Sequence, residues 1–297
     1  MISTADRIVH GSNGDACVLG IQIGVVTGPC IADCGFCSFA VSTTNADDFV
    51  MSGKELEGIV SHAIQHGDVS VISLMTIHNF DFGNLMDAVR TVKGIVPDTV
   101  KIAVNTGDLS QEECMALSRA GVSRAYHSIR LDEGDVTLLN PLDRSITVRN
   151  LGDAGLKVIG CVEPIGPEHT PEYIVRKYYD AFDEGYDECS AAKRIAVPGT
   201  RLYSSGEIPD RRLLQIRSVL YLSDAGRYGG FYGGLDHAYA EYAGSPKDNA
   251  DYSERSLGRS MEKVRKEMLD SGYEYIIGPN GSRIRLDEDY LRRTGSL

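Results

Sequence analysis

Short apolar, β-rich segments alternate with amphipathic helical segments along almost the whole 297-residue chain. Several helical segments end at a glycine that a new strand follows at once, as in HGDVSVI, RAGVSRAY and DAGLKVIG. Such alternation predicts parallel strands joined by crossover helices. Eight strand–helix units predict an α/β fold, a (βα)8 TIM-type barrel whose chemistry lies at the C-terminal ends of its strands. A doubly wound open sheet is the alternative, but the G-x-G-x-x-G fingerprint of dinucleotide-binding sheets is missing after the first strand.

The hydrophobic periodicity sets the expected segments. Strands are predicted over Val18–Val26, Val69–Thr76, Val100–Thr106, Arg124–Arg130, Lys157–Ile165, Ser190–Val197, Gly230–Gly233 and His237–Ala243. Helices are predicted over Lys54–His66, Phe82–Ile95, Ser110–Ala120, Ser145–Ala154, Pro171–Glu184, Asp210–Ala225 and Ser253–Ser271. No linker divides the chain, so residues 1–273 are expected to form the barrel. Residues 274–297 are expected to add a C-terminal hairpin through Pro279–Gly281.

Composition and charge narrow the class of protein. Apolar residues make up 42% and charged residues 24%, as in a soluble globular enzyme. The formal charge of −12 argues against a nucleic-acid partner, which would call for a basic face. No apolar run is long enough to span a bilayer, and the start MISTADRIVHGSNGD has no signal-peptide pattern. We therefore expect a cytoplasmic protein with reduced thiols and no membrane partner.

Three of the seven cysteines, Cys30, Cys34 and Cys37, lie together in PCIADCGFCSF, directly after the first predicted strand. Clustered cysteines in a large reduced protein indicate metal binding or catalysis. Three thiolates can hold a [4Fe–4S] cluster by three of its irons, which leaves the fourth iron open for a small molecule. The alternative is a structural zinc site with a distant fourth ligand such as His10 or Cys17, although such sites normally show two clear ligand pairs.

With Phe36 before its last cysteine, this loop resembles the signature of the radical S-adenosylmethionine (SAM) enzymes. The resemblance implies that Cys30, Cys34 and Cys37 ligate a [4Fe–4S] cluster whose unique iron chelates SAM. Reduction then cleaves SAM to methionine and a 5′-deoxyadenosyl radical, which removes a hydrogen atom from the substrate. The family also implies a low-potential electron donor, ferredoxin or flavodoxin. Phe36 is expected against the adenine side of the site.

The stretch DRSITVRNLGDAGLKVIGCVEPIGPEHT is similar to a helix–strand unit of the biotin synthase-like branch, which includes biotin synthase, the HydE maturase and methylornithine synthase. That similarity implies that Arg144 grips the SAM carboxylate and that Asp132, in SIRLDEG, binds the ribose hydroxyls. Arg130 would be a neighbouring SAM contact, although relatives often carry Asn or Glu there.

The remaining cofactor contacts expected from the same branch come from strand ends. The second predicted strand offers Ser73 and Thr76, in SLMT, to the SAM amino group, and RIAVPGT offers Ile195 and Val197 to adenine. By the two-residue alternation of a strand, Asn105 and Ser128 also face the barrel lumen.

The sulfur-donating second cluster of biotin synthase is expected to be absent. Its three cysteine positions align with Ile72, Ala103 and Ile159, which carry no thiol. We therefore expect hydrogen abstraction from a small molecule, followed by rearrangement, fragmentation or C–C bond formation, in cofactor or modified-amino-acid biosynthesis. Sulfur insertion, as in lipoyl assembly, and a non-catalytic electron-transfer or metal-binding module are the alternatives.

Candidate substrate-side residues are Cys161, Glu163 and His237. Alternation places Cys161 and Glu163 on the lumen face, where the thiol would donate a hydrogen atom and the carboxylate would bind an amine. Glu163 would otherwise pair with Arg130 or Arg194. The match to biotin synthase ends in RYGGFYGGLDHAYAEYAG, where the seventh unit is expected to be reduced, with Tyr232, Asp236 and His237 near the pocket.

Overall fold

The structure is a computed structural model that describes residues 2–229, 237–242 and 260–296. Its strands are β1 (Ala16–Thr27), β2 (Phe49–Val50), β3 (Val69–Thr76), β4 (Lys101–Asn105), β5 (Val122–Tyr126), β6 (Lys157–Ile165), β7 (Glu188–Lys193), β8 (His237–Tyr242), β9 (Tyr275–Ile277) and β10 (Arg283–Arg285). Its helices are α1 (Ile2–Asn13), α2 (Gly53–Ile64), α3 (Phe82–Ile95), α4 (Gln111–Arg119), α5 (Pro141–Asp153), α6 (Pro171–Glu184), α7 (Asp210–Ser223), α8 (Met261–Asp270) and α9 (Glu288–Arg293). A single 3₁₀ turn covers Tyr203–Ser205.

The central sheet is parallel, with neighbours in the order β8, β1, β3, β4, β5, β6, β7. Each of these neighbouring pairs from β1 to β7 follows the chain order, and helices cross between them, as the alternation predicts. The predicted α/β fold of barrel type is confirmed. Among the described residues the ring is not closed by a β7–β8 pair, and Tyr228 instead forms a single bridge to Cys189 on the free side of β7. The predicted strand Gly230–Gly233 lies outside the described residues.

Local sequence explains where the helices begin. Ser52 caps α2 and Ser110 caps α4, where the Ser110 hydroxyl and the Glu113 carboxylate form a reciprocal capping box. Thr170 caps α6, with Pro171 as its first residue, and α6 ends at Gly185, whose φ of 110° a side chain would oppose. None of the described helices is both long enough and apolar enough to cross a membrane.

Two elements cover the end of the sheet opposite the strand C-termini. β9 and β10 form an antiparallel hairpin, with Ile276 opposite Ile284, and β9 extends the sheet alongside the first residues of β1. The hairpin thus forms where it was predicted, and α9 follows it. Helix α1 was not predicted; its buried residues Ala5 and Val9 lie one helical turn apart in an otherwise polar segment.

Two strand predictions were displaced. β5 ends at Tyr126 rather than Arg130, and the backbone then turns through Asp132, whose φ is 57°. β7 ends at Lys193, so that Ile195 and Val197 lie in a loop rather than on a strand edge.

Candidate functional site

The cysteine loop, residues 29–39, follows β1 at the C-terminal end of the sheet. Main-chain hydrogen bonds fix it from two sides. Gly35 donates its N–H to the carbonyl of Val136 (2.8 Å), and its own carbonyl accepts the N–H of Leu202 (2.8 Å). The loop is therefore held between the turn that follows β5 and the segment that follows β7.

Two thiols of the loop accept main-chain hydrogen bonds. The N–H of His78 points to Cys30 Sγ and that of Phe39 to Cys37 Sγ, both at 3.4 Å. Such bonds stabilise thiolates that ligate iron. Across residues 2–229, 237–242 and 260–296, no three His, Cys, Asp or Glu side chains surround a position for one metal ion. A cluster takes each thiolate on a separate iron.

The third thiol lies in a shielded environment. Burial, with Cys37 and Cys30 beside it, raises the pKa of Cys34 to about 12, while Arg130 opposes the rise. A thiol of this kind is a poor free nucleophile, and iron binding would displace its proton. The donor set therefore fits an iron–sulfur cluster. Cys17 lies at the start of β1 and His10 on the preceding α1, whereas the cysteine loop follows the end of β1. Neither residue therefore fits the alternative of a distant fourth zinc ligand.

A partly buried charged group, the Asp108 network, lies where β3, β4 and β5 end. Arg144 donates from Nη1 to Asp108 Oδ1 and from Nη2 to the carbonyl of Ser128, both at 2.8 Å. His127 Nε2 lies 3.4 Å from the same Asp108 oxygen, and His78 Nε2 lies 4.0 Å from the other. The network comprises Asp108, Arg144, His127 and His78. Its members come from three different chain segments that parallel strands bring to one edge.

Polar atoms without a protein partner are concentrated here. Arg144 Nε, Ser128 Oγ and Thr76 Oγ1 are buried and make no hydrogen bond in the described structure. Buried polar atoms are nearly always satisfied in native proteins, so Ser128 Oγ and Thr76 Oγ1 call for a bound group. Arg144 Nε has the Glu133 carboxylate at 4.0 Å, too far for a hydrogen bond, and is also open to a ligand. All three residues were predicted from sequence to contact SAM. The orphaned atoms fit a polar cofactor at this edge.

The Asp108 network has a defined charge state. Burial raises the pKa of Asp108, but His127 and Arg144 outweigh burial and lower it to about 2. Burial, together with Arg144, lowers the pKa of His127 to about 4. At neutral pH the network thus contains a carboxylate, a guanidinium and an uncharged imidazole.

This charge state predicts a loss of stability in acid. Unfolded His127 takes up a proton near 6.5, whereas the folded residue does so only near 4, so stability is lost as the pH falls between these values. From pH 7 to 4.5 the loss is about 2–3 kcal/mol. Urea unfolding at the two pH values should show this loss in wild type. The control His66→Gln, which replaces an exposed histidine, should show it as well, whereas His127→Gln should not. Equal losses in all three proteins would contradict the assignment.

Asp132 lies at the rim, half-exposed, on the turn after β5. Its carboxylate accepts a hydrogen bond from Tyr173 (2.5 Å), and His169 Nε2 lies 3.2 Å from its other oxygen. These contacts orient the carboxylate and leave lone pairs available, because a carboxylate has about four acceptor positions.

Arg194, one of the two predicted partners of Glu163, is bound by Glu168 instead (2.5 and 3.0 Å).

A cavity of about 350 Å³ occupies the lumen of the sheet. Ser73, Asn105, Arg130 and Glu163 line it, which confirms that these predicted residues face inward. Gln22, Tyr126, Tyr239 and Arg124 line it as well. A Cβ atom at Gly20 would lie only 2.4 Å from the Tyr239 ring, so the glycine leaves room for this wall of the cavity.

Glu163 is part of a network at the cavity wall. Its carboxylate accepts hydrogen bonds from the Tyr126 hydroxyl and the Arg130 guanidinium. The expected alternative, an ion pair with Arg130, is therefore what the structure contains. Cys161 is buried, and burial raises the pKa of its thiol, while Ser190 and Tyr126 oppose the rise. The thiol is held in its neutral form.

The predicted position of Ile72 requires correction. Ser73 and Met75 line the cavity, so Ile72, with the opposite orientation, faces the surrounding helices. Ala103 and Ile159 do line the cavity. The lumen residue of β3 is Ser73, which is not a cysteine either. The lumen therefore still lacks the three thiols that a second cluster would need.

For the other predicted residues the structure gives a position but no specific side-chain contact, and some of them lie outside the described residues. Phe36 is half-buried in the cysteine loop, and Cys114 and Cys189 are buried away from it. The backbone of His237 belongs to β8, but its side chain, like Tyr232 and Asp236, lies outside the described residues.

Sequence reasoning found Arg144 but missed its partners Asp108, His127 and His78. It also missed Tyr126 and Arg124 on the cavity wall. Asp108 and His127 each follow a predicted strand closely, and the ends of neighbouring parallel strands meet at one edge. That signal was available. Nothing local marks Tyr126 or Arg124, since their importance comes from the cavity they face.

Comparisons with known proteins agree with this geometry. No protein-family profile matches the chain. The biotin synthase of Desulforudis audaxviator is 26% identical over 242 residues, which cover 78% of this chain and 71% of that protein. The biotin synthase of Microcystis aeruginosa is 26% identical over 172 residues, 53% of this chain and 47% of its own length, so the match spans about half of that relative.

Among solved structures, methylornithine synthase (PylB) superposes with a TM-score of 0.75 at 14% identity, over 91% of this chain and 87% of that one. At this identity the likeness shows a shared fold. Together with the sequence relatives and the cysteine loop, it identifies the chain as an enzyme related to the biotin synthase-like branch of the radical SAM enzymes.

Proposed function

We propose that this protein cleaves SAM reductively at a [4Fe–4S] cluster and abstracts hydrogen from a small molecule bound in the lumen cavity. The observation that carries the proposal is the position of the three-cysteine loop. It lies at the strand C-termini, on the same side of the sheet as the orphaned buried polar atoms and at the end of the lumen cavity. When bound, the reduced cluster supplies the electron that converts SAM to methionine and a 5′-deoxyadenosyl radical.

Cys30, Cys34 and Cys37 would hold the cluster. The main-chain N–H groups of His78 and Phe39 would offset the negative charge on two of the thiolates. The hydrogen bonds that clamp the loop keep its thiols in place without rearrangement. Preorganisation of this kind lowers the cost of binding.

Arg144, Thr76 and Ser128 would bind the amino-acid end of SAM through their unsatisfied atoms. Arg144 Nε is a donor for a carboxylate, and Asp108 holds the rest of the guanidinium in place. Asp132 would accept hydrogen bonds from the ribose hydroxyls, in an orientation set by Tyr173 and His169.

Phe36, Ile195 and Val197 are proposed for the adenine, and Ser73 and Asn105 for the inner side of the cofactor. Phe36 is half-buried in the cysteine loop, and the other two follow β7 on the rim. Ser73 and Asn105 reach the cavity from neighbouring strands. Arg130, which influences Cys34 and binds Glu163, would connect the two regions.

Cys161, Glu163 and His237 are proposed on the substrate side. A substrate in the lumen cavity would be partly shielded from water and stray hydrogen donors. A neutral buried thiol such as Cys161 carries a hydrogen atom that a product radical could take. Tyr126 and Arg130 would fix the Glu163 carboxylate for a substrate group.

Rearrangement, fragmentation or C–C bond formation in cofactor or modified-amino-acid biosynthesis is the reaction we favour. Electrons would come from ferredoxin or flavodoxin, in the cytoplasm. Sulfur insertion would need a sacrificial sulfur source, and the lumen positions Ser73, Ala103 and Ile159 offer no thiol for a second cluster.

Iron analysis after anaerobic reconstitution separates the two reactions. A single [4Fe–4S] cluster gives about four irons and four sulfides per chain. Six to eight irons would indicate a second cluster and would favour sulfur insertion over the proposed chemistry.

A further inference from the structure

Arg124 reaches the lumen cavity from β5, below the level of Tyr126 and Arg130. It is half-buried and makes neither a hydrogen bond nor an ion pair with any residue of the described ranges. A guanidinium on a cavity wall has five donors that call for acceptors. The side chain is thus available to a ligand.

The other charges on the cavity wall are already paired. Arg130 is bound to Glu163, and Glu188 is bound to Lys157, which lies next to Arg124 in the sheet. Of the arginines that line this cavity, Arg124 is therefore the one whose charge the described residues do not balance.

The strand register places further hydrogen-bonding groups at the same level. Ala103 is the neighbour of Arg124, Ser73 is the neighbour of Ala103, and Gln22 is the neighbour of Ser73. The small side chain of Ala103 leaves space between the guanidinium and the Ser73 hydroxyl. Glu241 follows Gln22 in this row.

The upper part of the cavity has a different character. Met75, Ile159 and Tyr126 line it together with the Glu163 network. These side chains suit a short carbon skeleton, and a volume of about 350 Å³ holds a molecule of small-metabolite size.

We infer that the lumen cavity binds a small organic acid whose carboxylate pairs with Arg124, between Ser73 and Gln22, and whose carbon chain extends toward the cysteine loop. Arginine binds a carboxylate through two parallel N–H···O bonds, which sets orientation as well as affinity. The inference rests on the proposed function, because a reactive carbon at the upper end would lie on the side where the radical forms.

Three ligands with the same six-carbon chain show which head group the cavity prefers. They are hexanoate, hexanamide and hexylamine. Binding is measured by calorimetry to the reconstituted protein with SAM and without reductant, so that no turnover occurs. We expect hexanoate to bind at least about tenfold more tightly than the other two, as a charge-assisted bidentate pair allows. If hexanoate binds no better than hexanamide, or does not bind at all, the inference is wrong.

Variants show whether Arg124 is responsible. Arg124→Gln should reduce the preference for hexanoate to less than about twofold, and Arg124→Lys should retain part of it. Arg149→Gln removes an exposed arginine of α5 and should leave the preference unchanged. A preference that survives in Arg124→Gln overturns the inference, and so does a failure of Arg124→Lys to bind hexanoate better than Arg124→Gln does.

The proposed function has its own readout in the same samples. SAM cleavage without an added acid is measured in wild type and in Arg149→Gln, and it should be the same in both proteins. Wild-type protein that prefers hexanoate but cleaves no SAM would disprove the proposed function alone. Protein that cleaves SAM but shows no preference for the acid would disprove the inference alone.

Discussion

Replacement of Cys34 with alanine should abolish cluster assembly and SAM cleavage. Iron should fall from about four per chain to less than about one, because the four irons form one cluster and the loss of one of its three ligands prevents assembly of the whole. Loss of a hydrogen-bond partner of a metal ligand lowers metal affinity or activity roughly 10–100-fold. Loss of the ligand itself should lower them further. Iron analysis and chromatography of 5′-deoxyadenosine after anaerobic reconstitution measure both effects.

Cys114→Ala is the matched control, since it removes a fully buried thiol in α4, away from the cysteine loop. It should retain iron and SAM cleavage. Full iron content in Cys34→Ala would contradict the ligand assignment. Loss of iron in both variants would mean that the protein tolerates no cysteine replacement, and the specific role of Cys34 would then be unsupported.

Replacement of Arg265 with methionine should cause a large loss of stability. Arg265 on α8 is bound to Asp68 (2.8 Å), and Tyr290 on α9 donates to the same carboxylate (2.6 Å). Asp68 is fully buried, so removal of the guanidinium leaves a buried charge without its counter-ion. The expected cost is about 3–5 kcal/mol in the free energy of unfolding.

Lys266→Met, on the next residue of α8, provides the comparison. Lys266 forms an exposed ion pair with Asp270 (2.7 Å), and such pairs contribute about 0.5 kcal/mol or less. Urea unfolding at pH 7 should separate the two variants clearly. Similar losses would mean that the Asp68–Arg265–Tyr290 contact does not hold α8 and α9 beneath the sheet.

The fold was predictable because strand–helix alternation restricts the topology strongly. The same alternation placed Asn105 and Glu163 on the lumen face correctly. The alignment with biotin synthase failed at Ile72, since an error of one position along a strand reverses the side on which a side chain lies. The alternation also missed α1, whose pattern is short and mostly polar.

The site was predictable where it depends on a local motif and not where it depends on distant contacts. The cysteine loop and Arg144 are recognisable from adjacent residues. The pairing of Arg144 with Asp108 joins chain segments 36 residues apart, and that of Tyr126 with Glu163 joins segments 37 apart. Such pairs follow from the packing of strand ends, which periodicity does not specify.

The central claim is that the three-cysteine loop supports reductive cleavage of SAM. Wild-type protein, reconstituted anaerobically and incubated with SAM and dithionite, should release 5′-deoxyadenosine and methionine in equal amounts. Omission of dithionite should abolish both products. Protein that carries about four irons per chain yet releases no 5′-deoxyadenosine would contradict the account.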